Sequence, residues 1–162
     1  MKNLKLALTG VLLTALFSLS AVGQTGTKSS DSDKIFDAKL AKKLGADQYG
    51  MRSYVLVILK TGPNDSKITD KDERSKLFKG HFDNMGRLAK EGKLAFAGPL
   101  DGKPKRGLFI LAVKSTKEAE ELVKTDPTVK AGIFVYDLTK LYGSAALMKV
   151  NEIHGMIQKE KI

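Results

Sequence analysis

The sequence contains no cysteine and no tryptophan, and only 2 histidines and 4 prolines among its 162 residues. The lack of cysteine excludes a disulfide scaffold, a thiolate zinc site, a thiol nucleophile and a lipid-modified N-terminal cysteine. Two histidines leave little material for a metal centre. His81-x-Asp83 and Glu152-x-His154 each lack a nearby third ligand. Lys60-Thr61-Gly62-Pro63 lacks the glycines and the Gly-Lys-Ser/Thr end of a phosphate loop. Tyr142-Gly143-Ser144 is not the Gly-x-Ser-x-Gly of a nucleophile elbow, and Asp31-x-Asp33 lacks the glycine and terminal glutamate of a calcium loop. The one extended apolar run, Leu6 to Leu19, is about 14 residues, short of the ~20 that span a bilayer.

What the chain has in quantity is positive charge: 28 Lys plus Arg against 18 Asp plus Glu, a formal +10. The basic residues are nearly all lysine and are spread along the chain. Nucleic-acid surfaces cluster arginine with aromatics, so the pattern reads as a solvated lysine-rich surface with no nucleic-acid partner. The ends of the chain differ in character from its middle. Met1 to Lys5 is a short positive segment, Leu6 to Leu19 is apolar, and Ala21-Val22-Gly23 supplies small residues before Gln24. This is the three-part pattern of a secretory signal peptide over 1–23, and it predicts an exported protein, periplasmic or secreted, with no membrane attachment after cleavage. Residues 24–50 read as a polar Gly/Ser/Thr linker followed by a short amphipathic helix from Asp33 to Leu44, stopped by Gly45. A single domain of about 95 residues follows over 51–147, with a tail over 148–162.

Within the domain, Ser53–Leu59 is β-branched and apolar on both alternating faces. Thr69 stands where it can cap a helix whose first turn holds Asp70, Asp72 and Glu73. Leu77, Phe78, His81, Phe82, Met85, Leu88 and Ala89 form one helical stripe, and Gly92 ends it. Leu94–Ala97 and Gly107–Val113 read as strands around a turn with Asp101-Gly102 and Pro104. Ser115 and Glu118 form a capping box for a helix from Thr116 to Thr125, and Ile133–Leu138 is the last strand. The order β-α-β-β-α-β predicts an α+β, ferredoxin-like fold. Two helices cover only one face of a four-stranded sheet. Because 53–59 and 107–113 are apolar on both faces, the second face needs a cover. The candidates are the same sheet of a second copy, giving a homodimer, or the N-terminal helix or tail of the same chain.

Two residues carry candidate chemistry. His81 sits among apolar residues that face the sheet. Such an imidazole is either a core group bonded to a backbone carbonyl or an acid/base working near neutral pH. Asp126 precedes Pro127, the pattern of a helix cap, and a carboxylate can also orient His81 through the far ring nitrogen. Capping uses one oxygen and leaves the other, so both roles are compatible. Arg52, Tyr142 and Ser144, near strand or loop ends, are candidate substrate contacts.

Several segments together resemble the YciI-like (YCII-related) family. They are Ser53–Leu59; Gly80-His81 with Arg87-Leu88-Ala89-x-Glu91-Gly92-Lys93-Leu94; Ala97-Gly98-Pro99; Arg106-Gly107-Leu108-Phe109-Ile110; Glu118-Ala119-x-x-Leu122; and Thr125-Asp126-Pro127-x-Val129-x-Ala131-Gly132. Tyr142-Gly143-Ser144-Ala145-Ala146-Leu147 resembles the end of one branch of that family. The resemblance implies a dimeric α+β barrel and a His–Asp pair in a cavity between helix and sheet, carried by His81 and Asp126. It also points to proton transfer on small ring compounds without a cofactor, as in a dehydrochlorinase of chlorinated hydroxyquinols or in the muconolactone isomerases that share the fold. The expected function is therefore a cofactor-free, metal-free lyase or isomerase acting on a small cyclic or aromatic compound. The alternative is a non-catalytic ligand-binding or stress-related dimeric module. Family members are commonly short and cytoplasmic, and this chain departs from them in its export segment, its 24–48 extension and its tail.

Overall fold

The computed structural model describes residues 36–102 and 104–160. The predicted signal peptide 1–23, the linker and the first residues of the predicted helix from Asp33 lie outside them. The helix itself is shorter than its apolar spacing suggests. It runs Ala38–Leu44 (α1), because Asp37 takes extended geometry and its side chain accepts from the N–H of Leu40. Gly45, at φ +67°, closes it in the left-handed conformation that glycine adopts without strain.

Four strands follow: β1 (Met51–Thr61), β2 (Leu94–Pro99), β3 (Lys105–Leu111) and β4 (Phe134–Ser144). They form one antiparallel sheet in the order β2-β3-β1-β4. The long helix α2 (Lys71–Lys90) joins β1 to β2, and α3 (Thr116–Val123) with the single turn α4 (Pro127–Lys130) joins β3 to β4. This is the ferredoxin-like βαββαβ unit, an α+β fold. Both outer strands outrun their sequence signals, and β2 does so by reaching Pro99. β4 was expected to stop at Leu138, yet it pairs with β1 in continuous register out to Met51↔Ser144, so its exposed polar half is held by the ladder and not by burial. Asp70, not Thr69, caps α2 and accepts from the N–H of Glu73. Ser115 caps α3 through Glu118 N–H, while the Glu118 carboxylate turns away to Lys93, so only half of the capping box forms.

The core lies between the sheet and α2 and α3. Val55, Val57, Leu59, Phe109 and Leu111 point from the sheet towards Leu88, Ala119 and Val123. Burial of each large side chain contributes about 1.5–3 kcal/mol. Phe82, placed in the α2 stripe by its spacing, falls on the stripe's edge and is 45% exposed.

On the other sheet face, Leu56, Ile58, Leu108 and Ile110 are half-buried, and Phe96 and Val135 are exposed. Among the described residues, cover from the same chain reaches only the Met51 end. There the tail enters as a 3₁₀ turn, Ala145–Lys149, followed by α5 (Val150–Ile157). Tyr54 is buried and donates its hydroxyl to the carbonyl of Ser144, and Asn151 Nδ2 donates to Leu94 O. Among the described residues no helix is long and apolar enough to cross a membrane.

Candidate active site

α2 aims His81 at the sheet, where its ring lies among four phenylalanines. It stacks on Phe109 of β3 (centroids 5.9 Å, planes 28° apart). The edges of Phe82 (5.3 Å), Phe134 (5.7 Å) and Phe78 (6.2 Å) stand around it. Asp126 reaches the imidazole from the start of α4, placing Oδ2 2.6 Å from His81 Nδ1. Its other oxygen, Oδ1, accepts from the backbone N–H of Thr128 at 2.9 Å and from the Thr128 hydroxyl at 2.7 Å. The two roles open for Asp126 in the sequence are thus divided between its two oxygens.

One glycine-dependent contact and one hydrogen bond allow this approach. Gly80 precedes His81 on α2, and a Cβ there would lie 2.9 Å from Cγ of Pro127. Only the bare backbone lets α4 come so close. Arg87 adds a second tie, donating to Thr125 Oγ1 at 3.1 Å across the same helix contact.

The electrostatics follow from the bonding. Asp126 is fully buried. Burial pushes its carboxyl up, but the hydrogen bonds from His81 and Thr128 and the His81 charge outweigh it and hold the group below the usual carboxylate range. An ionised carboxylate can only accept, so the hydrogen-bond network assigns the proton of the neutral imidazole to Nδ1. Nε2 then carries the lone pair. It has no hydrogen-bond partner among the described residues, and the His81 side chain remains 10% exposed.

Arg52, Tyr142 and Ser144 are not brought to this site. His81 packs on Phe109 and Phe134, which stand opposite Val57 and Thr61 of β1. Arg52 lies at least five residues further along that strand, roughly 17 Å or more at ~3.3 Å per residue. All three have local partners. Arg52 donates to Leu44 O at 2.8 Å and stacks on Tyr54. Tyr142 donates to Asp47 Oδ2, which lowers the Asp47 pKa and raises that of the phenol. Ser144 Oγ accepts from Ala146 N–H at 3.2 Å. Arg52 and Tyr142 share a cleft of about 220 Å³ with Asp47 and Lys114. A second cleft, about 480 Å³, runs along the outer side of α2 from Phe82 to Glu91. Neither is lined by His81 or Asp126.

Sequence reasoning missed Thr128, although a hydroxyl two residues past a capping Asp is a readable signal. It also missed Asp65, Arg74 and Arg106, which form an ion cluster beside the ring cage and carry no local pattern that marks them.

The profile of the YCII-related domain matches residues 53–141, the stretch from β1 to β4 that holds both His81 and Asp126. The chain belongs to the YCII-related domain family. No curated protein matches it. Among solved structures this YCII-related chain is similar to a 5-chloro-2-hydroxyhydroquinone dehydrochlorinase from Burkholderia phenoliruptrix AC1100, solved in complex with 2,5-dihydroxybenzoquinone. The two share 21% identity, the match covers 54% of this chain and 90% of that one, and the TM-score is 0.41.

Proposed function

We propose that this protein is a cofactor-free enzyme that moves a proton on a small cyclic or aromatic compound, in an elimination or an isomerisation. The observation that carries the reading is the His81 Nδ1–Asp126 Oδ2 contact of 2.6 Å, with Nε2 left without a partner inside a cage of aromatic rings. Asp126 holds the tautomer and stabilises the imidazolium that forms when Nε2 takes a proton. Thr128 holds Asp126. The rings limit water at the imidazole and suit a flat substrate ring by shape and by π contact. In an isomerisation the same Nε2 returns the proton at a second atom. In an elimination the leaving group departs as the C–H electrons form the new double bond.

The experiment is a screen of the purified chain against chlorinated hydroquinols, lactones and cyclic ketones. It follows halide release, double-bond shift and exchange of C–H for deuterium in heavy water. The expected result is turnover in one class that falls about 10²–10⁴-fold in His81→Asn, with the variant still folded. Equal rates in wild type and His81→Asn would overturn the assignment. Ligand binding without turnover in either protein would favour the non-catalytic binding module.

A further inference from the structure

Beside the ring cage lies a charged cluster that the proton-transfer step does not use. Arg74 stacks on Phe78 with its guanidinium carbon 5.2 Å from the ring centroid, and Arg106 stacks on Phe134 at 5.8 Å. Both rings pack against His81 and against each other. Both arginines also reach Asp65, whose side chain is 13% exposed. Arg74 makes three side-chain hydrogen bonds: Nη2 meets Asp65 Oδ1 at 2.6 Å, and Nη1 donates to the carbonyls of Asp65 and Ile68. Arg106 is held far more loosely. Its one side-chain hydrogen bond among the described residues is Nη1 to Asp65 Oδ2 at 3.3 Å. A guanidinium has five N–H donors, so most of its fork is uncommitted.

The backbone puts Arg106 on this side of the sheet. Strict alternation would turn it to the open face, opposite to its neighbour Gly107. The register shows why it does not: Leu59 pairs with Gly107, Lys60 pairs with Lys105, and Arg106 is the extra residue of a β-bulge. A bulge of this kind re-aims a side chain. Thr61 supplies a second sign of an unmet polar need in the same place. It pairs with Phe134, its N–H donates to Pro104 O, and its buried Oγ1 has no hydrogen-bond partner among the described residues.

We infer that Arg106 is the anion-recognising residue of the His81 site, and that the compounds this site accepts carry an anionic oxygen, a carboxylate or a phenolate, on the ring. This rests on the proton-transfer reading for its placement but is tested without turnover. Planar, forked donation from Arg106 fixes the anionic group while Phe134 holds the guanidinium from behind. The substrate ring then lies among the phenylalanines with a C–H near Nε2. The same cation stabilises charge that builds on a conjugated oxygen as the proton leaves.

The test is a titration of the full chain with benzoate and salicylate, and with the uncharged benzamide and salicylamide, read on the His81 imidazole signals by NMR. The expected result is saturable binding of the acids about tenfold or more tighter than of the amides. Arg106→Gln should abolish that preference. Arg106→Lys, which keeps the charge without the fork, should retain part of it and carries the test if the Gln variant does not fold. His81→Asn, followed by thermal shift, should keep the preference for acids, since the anion is held by Arg106. Equal affinity for acids and amides, no binding of the acids, or an unchanged preference in Arg106→Gln would each overturn the inference. Failure of the catalytic reading shows differently, as acids bound selectively by a protein that turns over nothing.

Discussion

Asp126 is the residue on which the site depends, because three donors converge on one buried carboxylate. Its pKa is lower in the folded chain than in the unfolded one, so the unfolded state binds the proton more readily at acid pH. The stabilisation is therefore fully present above the ordinary carboxylate value near 3.9 and is lost as pH falls through the lower folded value. Asp126→Asn removes this dependence while keeping a competent cap. Urea denaturation should show wild type more stable by about 1–3 kcal/mol from neutral pH down to about 4, with the gap narrowing at lower pH. A gap that stays constant into strong acid would show that Asp126 is not held ionised by its partners.

At the scale of elements, the contact between α2 and α4 decides whether the site exists. Two glycines on α2 separate helix propensity from that contact. Gly80 faces Pro127 with no room for a Cβ, whereas a Cβ at Gly86 meets nothing within 4 Å. Alanine improves helix propensity by about 0.5–1 kcal/mol at either position. Gly86→Ala should therefore raise the melting temperature. Gly80→Ala should lower it and loosen the His81–Asp126 bond, because the rigid proline ring cannot swing aside and α4 must move. Comparing the two melting curves checks the sign, and a Gly80→Ala protein as stable as Gly86→Ala would refute the tight-contact argument. The strands carry a comparable division. β1 was readable from its two apolar faces, whereas the far half of β4 was not, since Thr139, Lys140 and Tyr142 resemble loop residues until the Met51 end of β1 pairs with them.

For the whole molecule, the open sheet face is the unfinished surface. Leu56, Ile58, Leu108 and Ile110 form a half-buried apolar patch that the tail and α1 do not complete, and Phe96 and Val135 extend it to the solvent. We propose that a second copy packs on it face to face, the arrangement that two aligned sheets favour. Sedimentation should then give twice the chain mass for the wild type. Ile58→Glu should give a single chain mass with the far-UV spectrum retained. A wild type that sediments as a single chain would rule out the sheet-to-sheet dimer.

The sequence by itself determined the order of the elements, the helical stripe that turns His81 inward, and the Asp-Pro cap, because these depend on local periodicity and on backbone chemistry within a few residues. It also limited the acid/base candidates by its lack of cysteine and its scarcity of histidine. The family resemblance implied the His81–Asp126 pair, and the tertiary structure brings the two within 2.6 Å across 45 residues of chain. Only the tertiary structure decided that Thr128 braces Asp126 and that Arg52, Tyr142 and Ser144 serve the opposite end of the sheet. Arg106 is the sharpest case. Its alternation pattern assigns it to the open face, and a one-residue shift in strand pairing, invisible in any local window, moves it to the site. Strand register is set by contacts between residues far apart in the chain, so no short-range pattern can encode which side of the sheet such a residue will serve.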